Sequence, residues 1–325
     1  MDDGLRLSDA LREIASVAAY PAIGHRLHRR GWDAADLDVD LAGQVHVVTG
    51  GTAGIGLGIA RGLAQRGATV VIVGRNAARA DEARRALAGM RGPVEIELAD
   101  LTSTAATHAL ADRLLERHAR IHALVNNAGV AIPDRQVSAD GVEATFAGNV
   151  LGGFVLAHRL LPALARAAPA RVVHVSSAAI YVQRLDTAAL LDARPYRSAI
   201  QYAHTKRAQV ELSALWAERL EGIGVTSNCA HPGLTATPGT SVSLPLYHRV
   251  LSPILRDLDQ GADTMVWLAA SPAARGRTGE LFFDRAAHPT HVVPWTRTPR
   301  AEAERLWEAC AKLGGIAPDS LEVKR

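Results

Sequence analysis

The sequence predicts an α/β fold: a doubly wound sheet of about seven parallel strands, helices on both faces and further helices at each end of the chain. Three observations carry this. Seven short, strand-like runs alternate with segments whose apolar residues recur at helical spacing, which implies right-handed βαβ crossovers. The 325 residues are 48% hydrophobic, enough for one large core with extensions. The least regular stretches, 178–199 and 231–259, each follow a strand, where open α/β sheets place their ligands.

In order, QVHVVTG (44–50) reads as a β-branched strand that stops at glycines, and 54–67 as a helix ending at Gly67. ATVVIVG (68–74) is a second strand and 76–90 a second helix; PVEIELAD (93–100) and 103–119 form a third pair. IHALVNNAG (121–129) is a strand running into a loop, and a long helical stretch covers roughly 138–167. ARVVHVSS (170–177), a helix over 201–220, GVTSNCAHPG (224–233), a helix over 260–271 and TGELFFD (278–284) complete the pattern. Residues 1–40 read as an N-terminal helical extension, 41–290 as the main domain and 291–325 as a helical tail. In the extension, Leu7, Leu11, Ile14 and Ala18 form one stripe before the basic run HRLHRR (25–30); the stripe either packs on the domain or makes a peripheral contact with a membrane surface or a partner. The tail helix (301–314) is expected to bury Leu306, Ala309, Cys310 and Leu313.

Composition excludes several classes. Charged residues make up 21% and aromatics 4%, with a net charge of +3, so there is no clustered basic face with interleaved aromatics and no nucleic-acid partner is expected. Cys229 and Cys310 belong to no CxxC or His/Cys cluster, so neither a metal site nor a disulfide framework is expected, and a reducing, cytoplasmic setting is the default. No run approaches 18 apolar residues, and the start MDDGLRLSDA lacks a basic n-region, so neither a membrane span nor a signal peptide is expected.

The first strand–loop–helix unit, TGGTAGIG (49–56), reads as a dinucleotide site on a Rossmann-type sheet. Gly50, Gly54 and Gly56 allow a tight turn and close approach to a pyrophosphate, and the next helix offers its N-terminal amides. The second strand ends in Gly74, Arg75 and Asn76, where a 2′-hydroxyl reader would carry Asp or Glu; an arginine there can pair with a 2′-phosphate, favouring NADP(H) over NAD(H). Further on, lysine itself stands out. The chain has 36 basic residues, yet lysine occurs only at Lys206, Lys312 and Lys324. Lys206 lies four residues after Tyr202, on one helix face, and a nearby positive charge is expected to pull the phenol down toward a useful acid–base range.

TGxxxGIG (49–56), NNAG (126–129), Asn149, the serine pair 176–177, YxxxK (202–206) and PGxxxT (232–237) occur in this order, and the chain resembles the short-chain dehydrogenase/reductase family over about residues 42–284. YAHTKRAQVELSALWAERL and GADTMVWLAASPAARGRTGELFFDR look closest to its retinol-dehydrogenase-like branch, and more narrowly to the dehydrogenase/reductase member-12-like proteins. The resemblance implies an oxidoreductase in which Tyr202 exchanges a proton with the substrate oxygen and Lys206 holds the nicotinamide ribose. By the same pattern Ser177 orients the substrate, with Ser176 the alternative, and Asn149 bends its helix and anchors a water leading to the lysine. It implies a cofactor lined by Gly50, Thr52, Gly54, Ile55, Gly56, Arg75, Asn76, Asp100, Leu101, Asn127, Ala128 and Gly129, with Asn126 beside them, and by Tyr202, Lys206, Pro232, Gly233 and Thr237.

Two departures bear on substrate. Ser177 and Tyr202 are 25 positions apart, about twice the compact family spacing, so roughly 181–199 is an insertion expected beside the active site. Leu244, Leu246, Tyr247, Val250, Leu251 and Ile254 make the 234–255 loop apolar, pointing to an apolar small-molecule alcohol or carbonyl. A cofactor-binding sensor with little turnover and an extended sugar-nucleotide epimerase are the rival readings, and both a monomer and a homo-oligomer are open.

Overall fold

The computed structural model describes residues 19–237 and 252–317. Strands β1 (Val45–Thr49), β2 (Thr69–Gly74), β3 (Val94–Leu98), β4 (Ala123–Asn126), β5 (Ala170–Val175), β6 (Val225–Ala230), β7 (Leu281–Phe283) and β8 (Ala286–His288) form one sheet in the order 3-2-1-4-5-6-7-8. The first seven run parallel; β8 returns antiparallel to β7 through Asp284 and Arg285, both at positive φ. This eighth strand extends the expected seven; at three residues it is too short to show alternation in sequence. The helices are α1 (Ala22–Arg29), α2 (Gly54–Gln65), α3 (Ala77–Ala86), α4 (Thr104–Arg117), α5 (Ala144–Arg166), α6 (Thr187–Asp192), α7 (Ser198–Arg219), α8 (Leu258–Ala270) and α9 (Arg300–Leu313).

Alternate strand residues serve opposite cores, as the pleat requires. Val47, Val71, Val73, Leu124 and Val172 belong to the core built with α4, α5, α7 and α9. Val48, Val70, Ile72, Val125 and Val173 belong to the core with α2 and α8. Glycines set the closeness of α2 to α8: a Cβ at Gly58 would lie 2.7 Å from the Leu258 carbonyl oxygen, and one at Gly62 2.8 Å from Val266.

Three expectations need correction. The helix expected from 138 starts at Ala144, because Val137 and Glu143 pair across a turn and the Glu143 carboxylate caps the first helical amides. α5 is apolar and long enough to cross a membrane, but 72% of its apolar window is buried inside the protein, as befits a core helix. In α9, Leu306 and Cys310 are buried as expected, but Leu313 is exposed and Ala309 only half-buried; Ala303, Trp307 and Ala311 fill the buried face instead. The indole of Trp307 packs edge-on against Phe154 and Trp216 at 4.8 and 4.7 Å, which fixes the helix's rotation.

The insertion is structured. Residues 178–182 form a short 3-10 turn, and α6 follows, capped by Asp186 and burying Leu190. Glu302 of α9 accepts from the Thr187 amide, and the Tyr196 hydroxyl donates to the Ile132 carbonyl. The insertion therefore braces the tail helix as well as the sheet end.

On the other flank, the stripe of residues 7–18 lies outside the described residues, but the chain from Ala19 onward docks on the domain. Arg256 is fully buried and forms a two-armed ion pair with Asp284, at 2.5 and 2.8 Å. It also donates to the Ala19 and Tyr20 carbonyls, and His28 bonds the same carboxylate. Burial raises the Asp284 pKa, yet the Arg256 hydrogen bonds and charge, with His28, bring it below the ordinary value. Replacing Arg256 by Met is expected to cost about 3–5 kcal/mol, because it leaves a buried carboxylate without its main partner. The measurement is the shift in urea midpoint, and adding Asp284→Asn should recover part of the loss; no shift in the single variant would mean the pair is not holding this flank.

Candidate functional site

The sheet order reverses between β1 and β4, and the chain leaves both strands at their C-terminal ends, so a crevice opens there. Its floor is the 49–56 loop. Gly50 and Gly54 sit at φ of 64° and 56°. A Cβ on Gly50 would lie 2.9 Å from the Ala128 Cα, and one on Gly56 2.3 Å from the Gly50 carbonyl oxygen, so only glycine allows this turn. Asn127 ties the loop to β4: its side-chain amide donates to the Thr49 and Gly50 carbonyls at 2.9 and 3.3 Å, while the Thr49 hydroxyl accepts from the Asn127 and Ala128 amides. α2 begins at Gly54 with Ala53 before it and no side chain capping its first amides. Those amides and the positive helix end suit an anionic phosphate, so the residues present fit a dinucleotide.

Arg75 and Asp100 are exposed just past β2 and β3. Two expected cofactor residues also have local duties: the Asn76 side chain caps α3 through the Arg79 amide, and Asp100 accepts from the Thr102 amide and hydroxyl. Thr52 and Ile55 are half-buried in the loop, and Leu101 is buried in the core with only its backbone near the rim. Asn126 departs from expectation. Its side chain points inward, donating to the Gly153 carbonyl, so it is Asn127 that serves the loop. Pro232 and Gly233 follow β6; a Cβ on Gly233 would lie 2.7 Å from both Arg256 Nε and the Tyr20 carbonyl oxygen, so the docked flank sets this segment's path. Thr237 is the last described residue before the 238–251 gap, which contains Leu244, Leu246, Tyr247, Val250 and Leu251; Ile254, beyond it, is exposed.

Beside this crevice three elements bring Asn149, Ser177, Tyr202 and Lys206 together: α5, the end of β5, and α7, which carries both Tyr202 and Lys206. α5 takes a π-helical turn over Ala147–Leu151, which carries Asn149. The Asn149 side chain accepts from the Val130 amide at 2.8 Å and donates to the Val130 carbonyl and the Thr205 hydroxyl, both at 3.0 Å. The Thr205 hydroxyl in turn donates to the Tyr202 carbonyl at 2.7 Å. Ser176 is buried and donates to the Lys206 backbone carbonyl at 3.0 Å, whereas Ser177, half-buried at the strand end, accepts from the Ala179 amide and is close enough to Tyr202 to pull the phenol's pKa down. Of the two serines, Ser177 is thus the one against the phenol.

Lys206 lies 3% exposed, with its ammonium 5.5 Å from the Tyr202 ring centre. It donates to the Val175 carbonyl at 2.8 Å and to Gln209 Oε1 at 3.0 Å. A Cβ on Gly129 would lie 3.1 Å from this nitrogen, which explains glycine there. Burial pushes the lysine down to about 8. The expectation that Lys206 brings the phenol down is not met in this geometry: burial raises the Tyr202 pKa, and the opposing pull comes from Ser177. The physical reason is burial of the phenol, which disfavours its charged form more than its neighbours favour it.

Sequence reading missed Gln209, Thr205 and Arg256. The signal for Gln209 was present: a polar residue three positions after the lysine, on the helix face that is buried.

Residues 44–244 match the short chain dehydrogenase family model. A human relative, dehydrogenase/reductase SDR family member 12, is 38% identical over 86% of this chain and 88% of its own length. Human retinol dehydrogenase 12 is 35% identical over 86% and 89%. Among solved structures, a Pseudomonas aeruginosa RhlG/NADP active-site complex superposes with a TM-score of 0.63, at 30% identity, over 75% of this chain and 95% of that one. The chain belongs to the short-chain dehydrogenase family.

Proposed function

We propose that this protein is an NADP(H)-dependent oxidoreductase that interconverts a carbonyl and an alcohol on an apolar small molecule, with Tyr202 as the acid–base group. The observation that carries the reading is the convergence of Ser177 and Tyr202, close enough for the serine to influence the phenol, beside a buried Lys206 at the edge of the glycine crevice. When bound, the nicotinamide supplies or takes the hydride. The chain's own groups do the rest. Ser177 and Tyr202 offer two hydroxyls to one substrate oxygen, fixing its position and stabilising charge that develops on it. The raised pKa keeps the phenolic proton in place at neutral pH, so Tyr202 is ready to donate, the form that reduction needs. Lys206 has one N–H beyond its two bonds for a ribose hydroxyl, and a rotatable ammonium can aim it.

The relatives include retinol dehydrogenase 12 and a protein solved as an NADP complex, which support an apolar substrate and the phosphorylated cofactor. Exposed aliphatic side chains do too: Val130 in the loop after β4, Val182 in the turn after Ser177 and Ile200 in the first turn of α7. Arg75, exposed at the β2 end, is the group we assign to the 2′-phosphate. The two cysteines are buried and unpaired, which fits the cytoplasm.

Three outcomes test this. Against a panel of apolar aldehydes and ketones with NADPH, Tyr202→Phe should lose roughly 10²–10⁴ in turnover while NADPH still binds in a fluorescence titration. A wild type that binds NADPH but reduces nothing would instead favour a cofactor sensor. Arg75→Ala should narrow the NADPH over NADH preference by roughly tenfold or more in kcat/KM, and an unchanged ratio would remove Arg75 from that role. Lys206 is charged below about 8 and loses that charge above it. Reductive kcat/KM should therefore fall as pH rises through that value, and a flat profile to pH 10 would show that its charge is not needed.

A further inference from the structure

The resemblance implies a water leading from Asn149 to the lysine. In this chain a side chain spans the same two groups. Gln209 Nε2 donates to the Asn149 carbonyl oxygen at 2.7 Å, and Gln209 Oε1 accepts from Lys206 Nζ at 3.0 Å. Gln209 is 3% exposed, and both ends of its amide are used in the sense their chemistry allows. We propose that Gln209 is a positioning residue for Lys206: its amide bridges the π-turn of α5 to the ammonium and fixes that ammonium at the end of β5. This rests on the reading of Lys206 as part of an oxidoreductase site.

The surroundings support a dedicated bridge. Asn149 is committed on every side, its side chain to Val130 and Thr205 and its carbonyl to Gln209. Gln209 is also one wall of a cavity of about 10 Å³, room for about one water, and Lys206 does not line it. Asn126, His174 and Trp216 line the same cavity and each has a buried polar atom with no hydrogen-bond partner, Oδ1, Nε2 and Nε1 respectively. The amide therefore stands between the lysine and this polar interior. It has no ionisable proton to pass on, so the bridge holds the ammonium rather than draining it inward. The titratable groups around the lysine are Tyr202 on its own helix, Cys229 on β6 and His174 on β5. Burial and Lys206 hold His174 down at about 4, and burial pushes the Cys229 thiol up to about 12, so both are neutral across the range that matters. The ammonium donates to the Val175 backbone carbonyl and to the Gln209 side-chain amide.

The chain has three lysines, so the test needs no substrate. In full-length protein labelled with 13C and 15N lysine, the signal lost in Lys206→Met is Lys206, and its pH midpoint is followed by NMR. Gln209→Met keeps the side-chain length but removes the acceptor, and should lower that midpoint by about one pH unit, a tenfold loss of proton affinity. Gln209→Glu replaces the amide acceptor with a carboxylate and should raise it. The Lys312 and Lys324 signals should not differ between variants. If Gln209→Met is folded by circular dichroism and the midpoint stays put, the bridge does not position the lysine; if that variant does not fold, an unmoved midpoint in Gln209→Glu overturns the proposal equally. With a carbonyl that wild type reduces, the alkaline limb of kcat/KM should move down in Gln209→Met with the NMR midpoint. A shifted midpoint in a protein that reduces nothing would leave Gln209 as a positioning residue and remove the oxidoreductase reading; an unmoved midpoint in a protein that turns over would do the reverse.

Discussion

The Lys206 ammonium is a charge held inside the protein by neutral acceptors, and much of the site is arranged around that constraint. Removing a cation from water is costly unless its N–H groups find partners. One partner is the last carbonyl of β5, which ties the position of the lysine to the sheet. The other is Gln209, which ties it to the π-turn of α5 through the Asn149 carbonyl. Asn149 then fixes the loop after β4 through both polar groups of Val130, and the loop can approach because residue 129 is glycine. A lone α-helical path through Asn149 would not present its carbonyl in this way; the extra residue in the turn is what frees it.

The two-sided sheet makes that arrangement affordable. β5 and β6 are buried along nearly their whole length, so the strand ends that carry Ser177 and the 231–235 segment have little freedom. The flanks add to this. α9 thickens one core through Trp307, while the Arg256–Asp284 pair fastens the chain from Ala19 onward across the other end of the sheet. Gly233, expected beside the cofactor, lies directly against that pair. Tyr20 also accepts from the Leu234 amide and packs its ring against His231, which links a region outside the family's matched span to the segment after β6.

Much of this was legible before any coordinates. The seven parallel strands, the glycine turn at 49–56 and the pairing of Tyr202 with Lys206 follow from periodicity, spacing and the rarity of lysine in an arginine-rich chain. What escaped has physical reasons. β8 is three residues long, and alternation needs more than that to show. The start of α5 is set by a cap from Glu143, whose carboxylate also accepts from Gln201 across 58 positions, and no local pattern reports such a contact. Leu313 looked buried by period, but the helix is turned by Trp307, whose volume outweighs one leucine. The lysine's effect on Tyr202 was misjudged because charge proximity was weighed without burial.

The scarcity of lysine also has a structural counterpart in how the buried arginines are used. Arg207, next to Lys206 in sequence, donates to the Ile180, Gln183 and Thr290 carbonyls. Arg171 donates to the Leu268 and Ser271 carbonyls, and Arg256 to those of Ala19 and Tyr20. In each case a planar fork of donors gathers backbone oxygens, from the C-terminal end of α8 at Arg171 and from segments that include the insertion after Ser177 at Arg207. A guanidinium suits that work because it stays charged: even at Arg171, which burial lowers to about 10, it remains protonated at neutral pH. Lys206 is different in kind. Burial brings it to about 8, within reach of physiological pH, so the hydrogen bonds it makes or loses can move its charge state. Arginine at 206 would bring a larger fork into a space closed by Gly129 and a charge that no neighbour could tune. The chain thus uses arginine where a cation must hold structure and lysine where its protonation must be adjustable, and the neighbour best placed to adjust it is Gln209.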